Sequence, residues 1–238
     1  MNSQPSCEKF EFIIYLKKTD CHRIFEENTS TMRFLLCTGQ PGCGKTTLTR
    51  RAVEETIAYC GPGSVKGFYT EEVLGKDGKR IGFDVVTVSG ERGVLSRKGG
   101  PTAWPKTGAY SVDVETFERI ALPTLKVAND SQRAIVIDEI GRMELHSAAF
   151  RKAVDALLES PRQDIVVFGA ITAPIYGHRV AYCDKVTAQK GVATMRLKKS
   201  TRESVSVEYQ RKLKTLLRQS ATPESAAATG KRKRQRMA

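Results

Sequence analysis

Gly39, Gly44, Lys45 and Thr46 stand at the fixed positions of G-x-x-x-x-G-K-[ST] within Gly39-Gln-Pro-Gly-Cys-Gly-Lys-Thr-Thr47. The chemistry of that spacing is phosphate binding, because glycines let successive backbone N–H groups converge on anionic oxygens with no Cβ in the way. Lys45 is then placed to reach the outer phosphates and the Thr46 hydroxyl to ligate Mg²⁺. A helix opening at Thr46 points its positive end at the same anion. Gln40, Pro41, Gly42, Cys43 and Thr47 complete the binding loop, with Cys43 read as a small filler whose thiol also raises the question of oxidative inhibition.

A second cluster lies about a hundred residues on. Ala134-Ile-Val-Ile-Asp138 is an apolar, β-branched run that ends in a carboxylate, and Glu139 follows at once. Apolar residues bury such a strand within a parallel sheet, and its terminal Asp emerges at the carboxyl edge where a phosphate loop also sits. Asp138 is thus the expected second anchor for Mg²⁺, in partnership with Thr46. Glu139, one residue beyond, suits the orientation and polarisation of an attacking water. Thr172 closes another apolar run, Ile165–Ile171, and is expected at the same edge, sensing a terminal phosphate, positioning water or simply ending a strand. Arg92, Arg97 and Arg142 are the cations that motif order brings nearest for stabilising a transferred phosphoryl group.

These groups require strands and helices in alternation. Phe34–Thr38 reads as a buried strand running into the loop, and Leu48, Ala52, Val53 and Ile57 recur at helical spacing behind it. Val65–Val73 and Ile81–Val88, joined by Gly75-Lys-Asp-Gly78, read as a β-hairpin. Ser89–Gly100, with four glycines and three cations, reads as a loop that could cover the phosphates, and Tyr110–Val114 as a short strand. Asp113 or Thr116 can cap a helix carrying Phe117 and Ile120, and Ser147 begins another. Strand, helix, strand after Asp138 is a parallel crossover. Val192–Leu197 supplies a last strand and Thr201–Gln219 a closing helix.

At 238 residues with 40% hydrophobic content the chain suits a single domain at 32–219, preceded by an accessory extension at 1–31 and followed by a basic tail at 220–238. No apolar run reaches the ~20 residues of a membrane span, and no secretory signal is visible, so a cytoplasmic and/or nuclear location is expected. Six cysteines without metal-ligand spacing argue against zinc and for reduced thiols. The net charge of +13 is partly concentrated in Lys231-Arg-Lys-Arg-Gln-Arg236, which reads either as a solvated end or as a binding segment for a nuclear-import receptor or nucleic acid. A monomer is expected.

Five stretches in this order carry a resemblance: Gly39–Thr47, Gly67–Val73, Arg80–Val86, Gly108–Asp113 and Asp138–Glu144. Together they closely resemble the small P-loop nucleoside-triphosphatase family that includes cancer-related and thermophile members, over about Met32 to Gln219. The resemblance implies an α/β fold, a RecA-like mostly parallel central sheet flanked by helices, with the β-hairpin as an insertion. It implies Mg²⁺-dependent hydrolysis of ATP, GTP, CTP and UTP to diphosphate and phosphate. It places nucleotide-adjacent residues at Ile135, Val136, Ile137, Asp138, Glu139, Ile140, Gly141 and Arg142, with Lys45 and Glu139 catalytic. Cys43 departs from the valine usual in that family. A small-molecule or nucleoside kinase and a nucleic-acid-associated ATPase using the basic tail are the alternative readings. For the kinase, no second substrate pocket is legible in the sequence.

Overall fold

The computed structural model describes residues 32–127, 131–160, 162, 164–174 and 179–220. The extension at 1–31 and the cluster at 231–236, with the roles expected of them, lie outside the described residues. Among the described residues, one nine-stranded sheet has the order β5-β6-β4-β3-β2-β7-β8-β1-β9. Its strands are β1 (Phe34–Thr38), β2 (Val65–Leu74), β3 (Arg80–Thr87), β4 (Arg92–Lys98), β5 (Lys106–Thr107), β6 (Tyr110–Val112), β7 (Ala134–Ile140), β8 (Val166–Ile171) and β9 (Val192–Arg196). The helices are α1 (Lys45–Cys60), α2 (Val114–Ala121), α3 (Ala148–Glu159), α4 (Ala181–Thr187) and α5 (Arg202–Ser220).

Burial on both faces explains the unbroken apolar strands. Phe34, Leu36, Ile135 and Ile137 point into one core with Phe117 of α2 and Phe150 of α3. Their sequence neighbours Leu35, Cys37, Ala134 and Val136 point into a second core with Leu48 of α1 and Tyr209 of α5. Period-two alternation with both sides apolar is the signature of a sheet covered by helices on each face. Phe68, Phe117 and Phe150 pack edge to face, with centroids 5.3–5.9 Å apart across the three pairs, and fix how α2 and α3 sit on the sheet. Caps set the helix starts: Asp113 Oδ1 accepts from Thr116 N at 3.0 Å, and Ser147 Oγ accepts from Phe150 N at 2.8 Å.

The sheet is not mostly parallel. Strands β2, β7, β8, β1 and β9 pair parallel, whereas β3, β4, β6 and β5 continue the same sheet antiparallel from β2. The β2–β3 hairpin is the junction between the two halves, since β2 pairs parallel with β7 and antiparallel with β3. The stretch expected as a glycine-rich cover is strand β4, paired with β3 from Gly82↔Arg97 to Val86↔Arg92. Its cations are held by that pairing: Arg97 Nη2 donates to Asp84 Oδ1 at 2.6 Å and Arg92 Nη1 to Asp84 Oδ2 at 3.0 Å. Arg92 also meets Glu71 of β2, which in turn pairs with Arg50 of α1. Helix α4 was not evident in the sequence. Among the described residues no helix is long and apolar enough to cross a membrane.

Candidate functional site

Parallel pairing in register brings three strand ends to one edge. Cys37 of β1 stands beside Ala170 of β8, and Ile137 of β7 beside Gly169. The loop after Thr38, the carboxylates after Ile137 and Thr172 after Ile171 therefore meet. The β7–β8 register shifts between Ile137 and Ile140, so Asp138 and Glu139 step out of the ladder. Gly44 ends the loop at φ 104°, a left-handed conformation that favours glycine, and α1 starts at the next residue.

Lys45 ties loop and strand together. Its Nζ donates to the Gly39 carbonyl at 3.1 Å and lies 3.3 Å from Glu139 Oε2. Burial alone would lower the ammonium's pKa, but Glu139 beside it and Cys43 and Asp138 nearby raise it above its ordinary value, so it stays charged. The other Glu139 oxygen, Oε1, accepts from Thr172 Oγ1 at 2.6 Å. Both oxygens of this carboxylate are thus fixed in direction.

Asp138 is 1% exposed, and among the described residues neither carboxylate oxygen has a hydrogen-bond partner. Burial, and then repulsion from Glu139, push its pKa up to about 7, against the opposing pull of Thr46, Lys45 and Arg50. The Thr46 hydroxyl is near enough to favour the ionised form but falls short of hydrogen-bond geometry. A buried carboxylate with no partner is costly unless something cationic completes it. Asp138 with the neighbouring Thr46 hydroxyl is a hard-oxygen pair suited to a divalent ion such as Mg²⁺.

A cleft of about 410 Å³ opens at this edge, lined by Gly39, Pro41, Gly42, Lys45, Thr46, Glu139 and Thr172 on the side of the loop, with Arg142 and Glu144 beyond. Of the residues expected at the nucleotide, Gln40 and Thr47 are exposed and Cys43 is buried, its Sγ 2.7 Å from where a Cβ on Gly39 would stand. Ile135, Val136, Ile137 and Ile140 are fully buried in the sheet. Within 135–142 the residues lining the cleft are Glu139 and Arg142. Arg92 and Arg97 do not line it, since Asp84 holds both.

Two residues bordering the cleft are not evident in the sequence. Glu144 is 3% exposed yet borders the cleft, and burial followed by the charge of Glu139 pushes its pKa up to about 8. Arg80 faces the loop from the antiparallel half of the sheet, together with Phe83 and Tyr110. A carboxylate three residues past Gly141 gave no pattern of its own, and Arg80 and Tyr110 meet only through the pairing of distant strands.

The NTPase family model matches residues 34–209. The cancer-related nucleoside-triphosphatase of Homo sapiens is 43% identical over 178 residues, covering 71% of this chain and 90% of that protein. Nucleoside-triphosphatase THEP1 of Thermotoga maritima is 33% identical over 180 residues, covering 76% of this chain and 95% of its own length. Among solved structures, that of THEP1 from the hyperthermophile Aquifex aeolicus superposes with a TM-score of 0.60 at 30% identity, covering 74% of this chain and 95% of that one. With a match over most of the described residues and relatives covered almost end to end, the chain belongs to the NTPase family.

Proposed function

We propose that the chain hydrolyses nucleoside 5′-triphosphates, including ATP, GTP, CTP and UTP, to diphosphate and phosphate with Mg²⁺, on a RecA-like P-loop architecture. The observation that carries this reading is the single ammonium of Lys45 shared between the Gly39 carbonyl and the Glu139 carboxylate. This contact supports the reading because it joins a cation to the loop that would bind phosphate and to the carboxylate that would orient water.

The backbone N–H groups of the loop from Gly39 to Thr47 would hold the phosphates, with the N-terminus of α1 behind them. Lys45 would exchange the Gly39 carbonyl for an outer phosphate oxygen and stabilise charge on the transferring group. Thr46 and Asp138 would hold Mg²⁺, which would supply positive charge to offset that of the phosphates. Glu139, turned by Thr172, would accept a proton from water in line with the scissile bond. Arg142 is the arginine of the expected set that borders the cleft, and it would face the outer phosphate opposite Lys45.

Phosphate release from the four triphosphates, with and without Mg²⁺, tests this on the wild-type chain and Glu139→Gln. Release from all four that requires Mg²⁺ and drops at least about 100-fold in the variant, with nucleotide still bound, is expected. Tight binding of nucleotide without release by the wild type would overturn the reading.

A further inference from the structure

The cleft is larger than a terminal phosphate needs, and its far wall is built. That wall comprises Thr70 and Glu72 of β2, Arg80 and Phe83 of β3, and Thr107 and Tyr110 of β5 and β6. Arg80 Nη1 donates to Glu72 Oε1 at 2.7 Å and Nε donates to the Tyr110 hydroxyl at 2.9 Å. Its guanidinium lies over the Phe83 ring at 5.0 Å and the Tyr110 ring at 5.7 Å, and those rings pack edge to face at 5.6 Å. An ordinary surface ion pair leaves its arginine free to swing, whereas this one is pinned by a carboxylate, a phenol and two rings. Arg80 Nη2 makes no hydrogen bond among the described residues.

The nucleotide in the loop does not account for this wall. In a loop of this kind the lysine marks the outer phosphates, and the inner phosphates follow the backbone away from it. Here the phosphate chain would run from Lys45 and Glu139 past Thr46 and exposed Thr47, toward the connection between β9 and α5. Arg202, the first residue of α5, packs with its Cδ 3.0 Å from where a Cβ on Gly44 would stand. With the phosphate chain so placed, the wall carrying Arg80 would lie beyond the terminal phosphate, on the side from which an attacking group would approach.

We propose that this wall is an acceptor subsite for a nucleoside, with its base stacked on the outer face of the Arg80 guanidinium and its 5′-hydroxyl turned toward Glu139. A planar heteroaromatic base suits a fixed guanidinium plane backed by rings. Glu72, Thr70 and Thr107 supply polar atoms for ring edges and sugar hydroxyls. A volume of about 410 Å³ is within the range of small-ligand sites. In the step this allows, the 5′-oxygen bonds to the γ-phosphorus as the bond from that phosphorus to the bridging oxygen breaks. The hydroxyl proton passes to Glu139, the electron pair leaves with the nucleoside diphosphate, and the acceptor becomes a nucleoside monophosphate. The inference rests on the hydrolase reading of the same loop and makes water and nucleoside competing acceptors.

The test uses the full chain with Mg²⁺ and γ-labelled ATP, adding adenosine, cytidine, guanosine or uridine in excess, and measures labelled phosphate and labelled nucleoside monophosphate separately. Labelled monophosphate from at least one nucleoside is expected. Arg80→Ala should lower it at least about tenfold while changing phosphate release without nucleoside by less than about twofold. Tyr110→Phe keeps the ring but removes the hydroxyl that pins Arg80, and should fall between the two. Phosphate release with no labelled monophosphate from any nucleoside overturns the acceptor subsite and leaves the hydrolase reading standing. Equal labelling by wild type and both variants also overturns it. Absence of both products overturns both readings.

Discussion

Thr172 Oγ1 donates a 2.6 Å hydrogen bond to Glu139 Oε1, joining the ends of two neighbouring parallel strands through their side chains. Because Lys45 faces the other carboxylate oxygen, this bond decides which lone pairs of Glu139 remain for a water. Thr172→Val keeps the shape and removes the donor. The expected result is a fall in kcat of about tenfold with KM changed by less than about twofold, since only transition-state alignment is lost. Steady-state phosphate release over a range of ATP concentrations checks it. A loss confined to KM would mean that Thr172 contacts the nucleotide instead.

Asp84 holds two arginines, Arg92 and Arg97, at 3.0 and 2.6 Å on the face of the antiparallel half, away from the cleft. Its side chain is 13% exposed, so these charge-assisted bonds are only partly screened. Asp84→Asn should cost about 2 kcal/mol of stability, read from the urea midpoint. Phosphate release per folded molecule should not change. A parallel drop in turnover would show that the lattice from Arg50 through Glu71 to Arg97 positions the site.

The portions of this architecture that were legible in the sequence are those written in adjacent residues. Strand β1, the loop and α1 follow one another without a gap, and the Asp138-Glu139 pair ends an apolar run that only a doubly covered strand can use. Strand β4 was hidden because its glycines and cations look like loop chemistry. Pairing with β3 and the Asp84 carboxylate make it a strand, and both are non-local. Helix α4 is short and its N-terminus has no side-chain cap to announce it. The wall around Arg80 is the clearest case, since thirty residues separate Arg80 from Tyr110, which accepts its hydrogen bond.

Tyr209 shows what a single buried hydroxyl can join. Fully buried, it accepts from Gly169 N at 3.1 Å and donates to the Leu35 carbonyl at 2.8 Å, linking α5 to β8 and β1 beneath the loop. Tyr209→Phe fills the same space but leaves the buried Gly169 N–H without that acceptor. A loss of about 1 to 3 kcal/mol is expected, measured by chemical denaturation. If stability is unchanged, a water must replace the phenol oxygen between the strands.

Glu144 couples the site to pH. Its Oε2 lies 2.7 Å, and Glu139 Oε1 2.9 Å, from the point where a Cβ on Gly141 would stand, so the two carboxylates crowd the same glycine. Burial is the main cause that raises the Glu144 pKa to about 8; Glu139 and Asp138 add to it, and the backbone amides of Glu144 and Gly141 oppose it. In the unfolded chain the group ionises near its ordinary value of 4.5. The folded state therefore holds a proton that the unfolded state releases. The stability from Glu144 is complete below that ordinary value and is lost as pH rises through about 8. Melting temperatures from about pH 5 to about 9 should decline in the wild type and decline less in Glu144→Gln, whose neutral side chain has no proton to lose. Some slope should persist in the variant, because Asp138, raised to about 7 chiefly by burial, acts in the same direction. Identical slopes in the two proteins would mean that Glu144 is already ionised in the folded state, with a cation or water network reaching it from the cleft.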